Sequence, residues 1–155
     1  MRRTHSLLAL ATVAALSAGT VASAHSSAPV AHASAAAAVD LHSSKLGAIL
    51  VSSSGRTLYE FTRDHADKDT CVAVSGCAKA WPPLKTSGRP KAGAGVKASL
   101  LSSINLPGGG KQVTYAGHPL YLFAGDSGPA ETGYVGVRGS GGSWYAINAS
   151  GNAVR

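Results

Sequence analysis

The chain has 155 residues, of which 45% are apolar, and carries 14 Lys and Arg against 7 Asp and Glu. That length and composition exclude a large multidomain assembly and a multi-span membrane protein. A formal net charge of +7 suits contact with acidic partners, but its cations are scattered along the sequence, which argues against nucleic acid.

Arg2 and Arg3 precede an apolar run from Leu7 to Leu16, and Ala22-Ser23-Ala24 is a small-x-small cleavage site. This pattern predicts a secretory signal over residues 1–24, cut after Ala24. The apolar run is too short to span a bilayer comfortably. No later segment is long and apolar enough, so no transmembrane segment is expected after cleavage. The abundance of Ala, Gly and Ser points to a bacterial exported protein. Residues 25–39 are rich in Ala, Ser and His with no apolar period, and read as a flexible tether. One ordered domain is expected from residue 40 to residue 155, enough for a single core. The mature chain retains twelve Lys and Arg against seven Asp and Glu.

Within that domain one pattern occurs twice. Leu58 is followed by Tyr59, Phe61 and Asp64, and Leu120 by Tyr121, Phe123 and Asp126, both reading Tyr-x-Phe-x-x-Asp. A β-favouring run precedes each, Ala48 to Val51 and Gln112 to Tyr115, with turn residues between at 52–56 and 116–119. The spacing predicts an all-β fold: a small single domain of two hairpin-rich repeats sharing one core. Repeat 1 is expected at about residues 42–84 and repeat 2 at about 111–155, with a loop-like linker over 85–110. Residues 98–104 fit either a short strand or a helical turn. Strand alternation puts Tyr59 with Phe61, and Tyr121 with Phe123, on one face, and Leu58 and Leu120 on the other. The aromatic pairs are expected to pack between the copies. Each Asp follows its strand, where a carboxylate fixes a turn by accepting backbone N–H bonds.

The copies differ afterwards. Cys71 and Cys77 are expected to form a disulfide outside the cytoplasm; a redox pair would more often read Cys-x-x-Cys. One helical turn is expected at Ala78 to Ala80, and Trp81-Pro82-Pro83 should then leave the sheet, because proline interrupts a central strand. Trp144 to Asn148 reads as a closing strand. Asp64, His65, Asp67 and Asp69 crowd one loop and are weak candidates for a cation site, although the order of an EF-hand is missing. No cofactor motif is present and none is expected. Gly125-Asp126-Ser127-Gly128-Pro129 resembles a serine-protease nucleophile segment, but a base and an orienting carboxylate are not evident, and no catalytic residues are assigned.

Both motif copies, the two cysteines, Trp81-Pro82-Pro83-Leu84 and the run from Gln112 to Tyr121 together resemble a group of bacterial secreted and lipoprotein repeats with a Tyr-x-(Phe/Trp/Tyr)-x-x-Asp motif. The resemblance implies an extracytoplasmic domain of unassigned activity. Unlike lipoprotein members, the chain has no Cys at the signal junction, so no N-terminal lipid anchor is expected. The expected function is a non-enzymatic module that binds an anionic cell-envelope polymer or a partner protein. The alternative is a metal- or redox-linked extracytoplasmic accessory protein.

Overall fold

The computed structural model describes residues 35–155. The expected signal segment and residues 25–34 of the expected tether lie outside the described residues. Repeat 1 supplies β1 (Ala38–Ser44), β2 (Gly47–Ser52) and β3 (Tyr59–Phe61), then one helical turn, α1 (Cys77–Ala80), and β4 (Lys85–Thr86). A short β5 (Lys91–Ala92) follows. Repeat 2 supplies β6 (Leu101–Asn105), β7 (Lys111–Tyr115), β8 (His118–Pro119), β9 (Arg138–Gly139), β10 (Gly142–Ile147) and β11 (Ala153–Val154). The fold is all-β, as the alternation predicts.

Each repeat opens with the same meander. β1 and β2 form an antiparallel hairpin, whose turn is fixed by the Ser44 hydroxyl: it accepts from the Leu46 amide at 3.1 Å and donates to the Gly47 carbonyl at 2.8 Å. The chain then turns back so that Leu58 N donates to Leu50 O at 3.0 Å. In repeat 2, β6 pairs with β7, and β8 returns along β7 after a two-residue turn. Ala116 and Gly117 both have positive φ there, 52° and 82°, the backbone handedness that lets a two-residue turn match the strand twist.

After the meander the copies exchange strands. β3 leaves its own repeat and pairs with β10, Phe61 opposite Trp144 and Tyr59 opposite Ala146. Residues 120–124 make the reciprocal pairing with repeat 1: Leu84 N donates to Leu120 O at 2.8 Å, Leu122 N to Pro82 O at 2.9 Å and Ala124 N to Ala80 O at 2.8 Å. At the crossing point Tyr59 and Tyr121 exchange two backbone hydrogen bonds, both 2.9 Å. The two repeats are therefore interlocked about a local pseudo-twofold relation.

Three expectations are corrected. Trp81-Pro82-Pro83 stays in the sheet. Pro83 bridges Tyr121 at a position where the ladder uses only the Pro82 carbonyl and the Leu84 amide, so the missing proline N–H costs nothing. The expected linker at 85–110 contains β4, β5, a 3-10 turn at Ala98–Leu100 and β6. β6 reads Leu-Ser-Ser-Ile-Asn, a weak intrinsic strand that is held by its five-residue register with β7; neighbouring pairing outweighs propensity in sheets. Finally, β1 begins at Ala38, inside the expected tether, because Val39 is fully buried and the Ala37 carbonyl accepts from Lys91 N at 2.8 Å.

The core has two main parts on the two faces of the motif strands. Leu58 and Leu120 join Val39, Leu50, Val113, Tyr115 and Ile147 on one side. Tyr59, Phe61 and Tyr121 join Trp81, Trp144 and the two cysteines on the other. Both parts draw on both repeats, so neither repeat has a complete core of its own.

Candidate functional site

The shared motif builds the centre of the molecule. Trp81 and Trp144 stack face to face, 4.0 Å between centroids and 3° between planes. Phe61 of repeat 1 stacks on Trp144 at 4.2 Å, and Phe123 of repeat 2 leans on Trp81 at 4.4 Å. Tyr59 meets Trp81 edge-on at 5.1 Å, and Tyr121 meets Trp144 in the same way at 5.1 Å. The pattern maps onto itself when the repeats are interchanged. Edge-to-face and offset contacts of this kind add roughly 0.5–1.5 kcal/mol per pair beyond burial. Tyr59, Phe61 and Tyr121 are buried and Phe123 is partly exposed, so the motif aromatics pack between the copies as expected. The sequence named both tryptophans but not their stack.

The hydroxyl ends of the tyrosines reach across to the aspartates of the other copy. Tyr121 donates to Asp64 Oδ2 at 2.7 Å, and Tyr59 donates to Asp126 Oδ1 at 3.4 Å. The two crossed pairs are unlike. Asp64 Oδ1 also accepts from the Thr70 amide and the Thr70 hydroxyl, each at 2.8 Å, and so ties down the loop to Cys71 as the turn reading expects. Burial raises the Asp64 carboxyl, while these three donors pull it back. Asp126 makes no such turn contacts: its Oδ2 is buried with no partner, which corrects the turn reading for the second copy. Burial raises its carboxyl to about 6, with the Glu131 charge adding to the rise and the Tyr59 hydroxyl and Arg56 opposing it. Both tyrosine hydroxyls are pushed well above the usual phenol range, chiefly by burial and then by their carboxylate partners.

The other candidates separate. Asp69 caps the Val72 amide at 3.0 Å, while His65 and Asp67 are exposed. Among the described residues no three His, Cys, Asp or Glu side chains gather as a metal site. Cys71 and Cys77 form a disulfide beside the tryptophan stack. The Ser127 hydroxyl donates to Glu131 Oε1 at 2.8 Å, and His118 faces Glu60, so the protease-like segment and its nearest histidine are occupied elsewhere.

A family model described as a secreted repeat of unknown function matches the chain twice, at residues 41–85 and 102–148. The chain belongs to this family. No curated protein and no solved structure matches it. The second match in the secreted repeat starts within β6, which makes the β6–β7 hairpin the counterpart of β1–β2 and places it inside the repeat. Among the described residues no helix is long and apolar enough to cross a membrane.

Two further features of this secreted repeat escaped the sequence reading. One is the pair of cations ahead of the motifs. Arg56 Nη2 donates to the Phe123 carbonyl, and His118 Nδ1 lies 2.9 Å from Glu60 Oε2. The hydrogen bond to Glu60 raises the His118 pKa, with the charges of Glu60 and Asp64 adding to it against partial burial. A raised folded pKa makes the pair stabilising below the unfolded value of about 6.5, and the gain is lost as pH rises through the folded value. His118→Gln is therefore expected to lower the melting temperature by a few degrees near pH 5 and by less than about one degree at pH 8.5. Thermal melts at the two pH values test this, and a deficit that grows with pH would reverse the assignment.

The other feature is charge segregation. All seven acids fall within residues 40–69 and 126–131, whereas Thr70 to Gly125 carries six Lys and Arg and no acid. Lys85, Arg89, Lys91, Lys97 and Lys111 of that stretch are all exposed. The expectation that the cations are scattered is corrected: the fold gathers segments far apart in sequence, setting Lys111 opposite Thr86, the neighbour of Lys85.

Proposed function

We propose that this secreted repeat is a non-enzymatic binding module for an anionic component of the cell envelope. The observation that carries the reading is the acid-free, cation-bearing stretch from Thr70 to Gly125. The duplicated motif supports it indirectly. Its aromatics and Asp64 are engaged in holding the repeats together, which leaves surface charge as the feature with an outward task. Attraction between exposed charges is screened over about 8–10 Å at ordinary ionic strength. The mature protein should therefore sediment with its own envelope fraction at low salt and be released as salt is added. Binding indifferent to salt would refute the electrostatic reading. The alternative, a metal- or redox-linked accessory role, has less support, because its candidate ligands Asp64 and Asp69 are engaged with the loop that leads to Cys71.

A further inference from the structure

Two depressions adjoin on the cation-bearing side of the domain. The first, about 420 Å³, is lined by Ala35, Lys85, Thr86, Ser87, Gly110 and Lys111. The second, about 290 Å³, is lined by Arg89, Pro90, Leu101, Ser102, Ser103 and Lys111. Lys111 belongs to both, so they form one track with a cation at the join, Lys85 in one lobe and Arg89 in the other. Neither lobe is lined by an acid or a histidine. Asp40, the acid on β1, faces Gly93 and lines neither. The walls of the two lobes differ: the first is mainly apolar and the second mainly polar.

Shape and chemistry together restrict the occupant. Both lobes are partly open to solvent, unlike the closed clefts that bury most of a small ligand. An open track with cations in both lobes and at their join fits a chain whose negative charges recur along its length. Lysine serves phosphate as a point charge, arginine as a fork of donors, and serine hydroxyls donate to phosphate oxygens. An apolar lobe walled partly by lysine stems suits the uncharged backbone between phosphates. We infer that the track over β4, β6 and β7 binds a linear phosphodiester polymer of the cell envelope. Lys85, Arg89 and Lys111 neutralise successive phosphates, and the Ser102 and Ser103 hydroxyls assist.

This inference rests on the proposed envelope binding and gives it an address. The test uses the mature chain and poly(glycerol phosphate) as the probe, with affinity measured over a series of salt concentrations. Replacement of Lys85, Arg89 and Lys111 together by serine is expected to weaken binding at least tenfold and to reduce the slope of log affinity against log salt by about 2. The same change at Lys45, Lys68 and Arg138, which removes equal charge outside the track and outside the acid-free stretch, is expected to cost less than about twofold. All six side chains are exposed, and near-ultraviolet circular dichroism of the tryptophan stack verifies that each variant is folded. Equal losses in the two triple variants would overturn the track while leaving envelope binding intact. Tighter binding to a single-stranded oligonucleotide, to polyglutamate or to phosphatidylglycerol vesicles than to poly(glycerol phosphate) would overturn the polymer assignment. A wild-type chain that binds neither the probe nor its envelope fraction would overturn the track and the proposed function together.

Discussion

Trp144→Ala is expected to destabilise the domain by about 3–5 kcal/mol, a large share of the stability of a single domain of this size. Trp144 is fully buried and touches three aromatic rings: Trp81 at 4.0 Å, Phe61 at 4.2 Å and Tyr121 at 5.1 Å. Its backbone also lies opposite Phe61 in the exchanged strand pair. The substitution therefore empties the place where the two repeats meet. The surrounding strands cannot close over it, because each is held in register by a ladder to the other copy. Urea unfolding should show the loss as a lower midpoint, and near-ultraviolet circular dichroism should lose the signal of the stacked indoles. Trp81→Ala should remove the same stack from the other side, so the double variant should cost less than the two single losses combined. A cost for Trp144→Ala under about 1 kcal/mol, or full additivity of the pair, would mean that the stack is incidental to the joining of the repeats.

Much of this centre was legible in the sequence. The repeated motif exposed the duplication, alternation assigned Leu58 and Leu120 to one face and the aromatics to the other, and turn residues marked the hairpins. The helical turn before Trp81 and the closing strand at Trp144 followed from the same local signals. What escaped was non-local. Alternation states which face a side chain takes but not which strand lies beside it, so the exchange of β3 and residues 120–124 between repeats had no local signature. β6 carries serines where a strong strand would carry branched residues, and only its partner β7 makes it a strand. Pro82 and Pro83 look like a strand break until the ladder shows which backbone groups are in use. The basic track is assembled from Lys85 and Arg89, which lie close together in the chain, and the distant Lys111, which the β4–β7 pairing brings beside them.

The two motif aspartates are expected to respond differently to mutation, although the sequence presents them as equivalents. Asp64→Ala removes the acceptor for the Tyr121 hydroxyl at 2.7 Å and for the Thr70 amide and hydroxyl, each at 2.8 Å. Tyr121 is fully buried, so its hydroxyl loses its close acceptor and keeps only the nearby Asp69 carboxylate; a poorly satisfied buried donor costs about 1–3 kcal/mol, and the loop to Cys71 loses its tie as well. A total loss of about 2–4 kcal/mol follows. Asp126→Ala removes only a 3.4 Å contact, and the Tyr59 hydroxyl keeps the Glu131 carbonyl at 3.3 Å. Its cost should stay below about 1 kcal/mol. Asp126→Asn carries a further prediction. The folded-state carboxyl titrates at about 6, raised chiefly by burial, so the folded state holds its proton more tightly than the unfolded chain. The stability linked to that proton is present at low pH and is lost as pH rises from about 4 through 6. The amide keeps an acceptor for Tyr59 without the buried charge. Asp126→Asn should therefore melt a few degrees above wild type near pH 7, and the difference should close near pH 4. Melting curves of the three variants at both pH values decide the matter. Equal losses from Asp64→Ala and Asp126→Ala would show that the crossed pairs do the same work. The unequal result would mean that duplication preserved the tyrosine–aspartate crossing at both ends while only the first end fastens a loop, the one that leads into the disulfide.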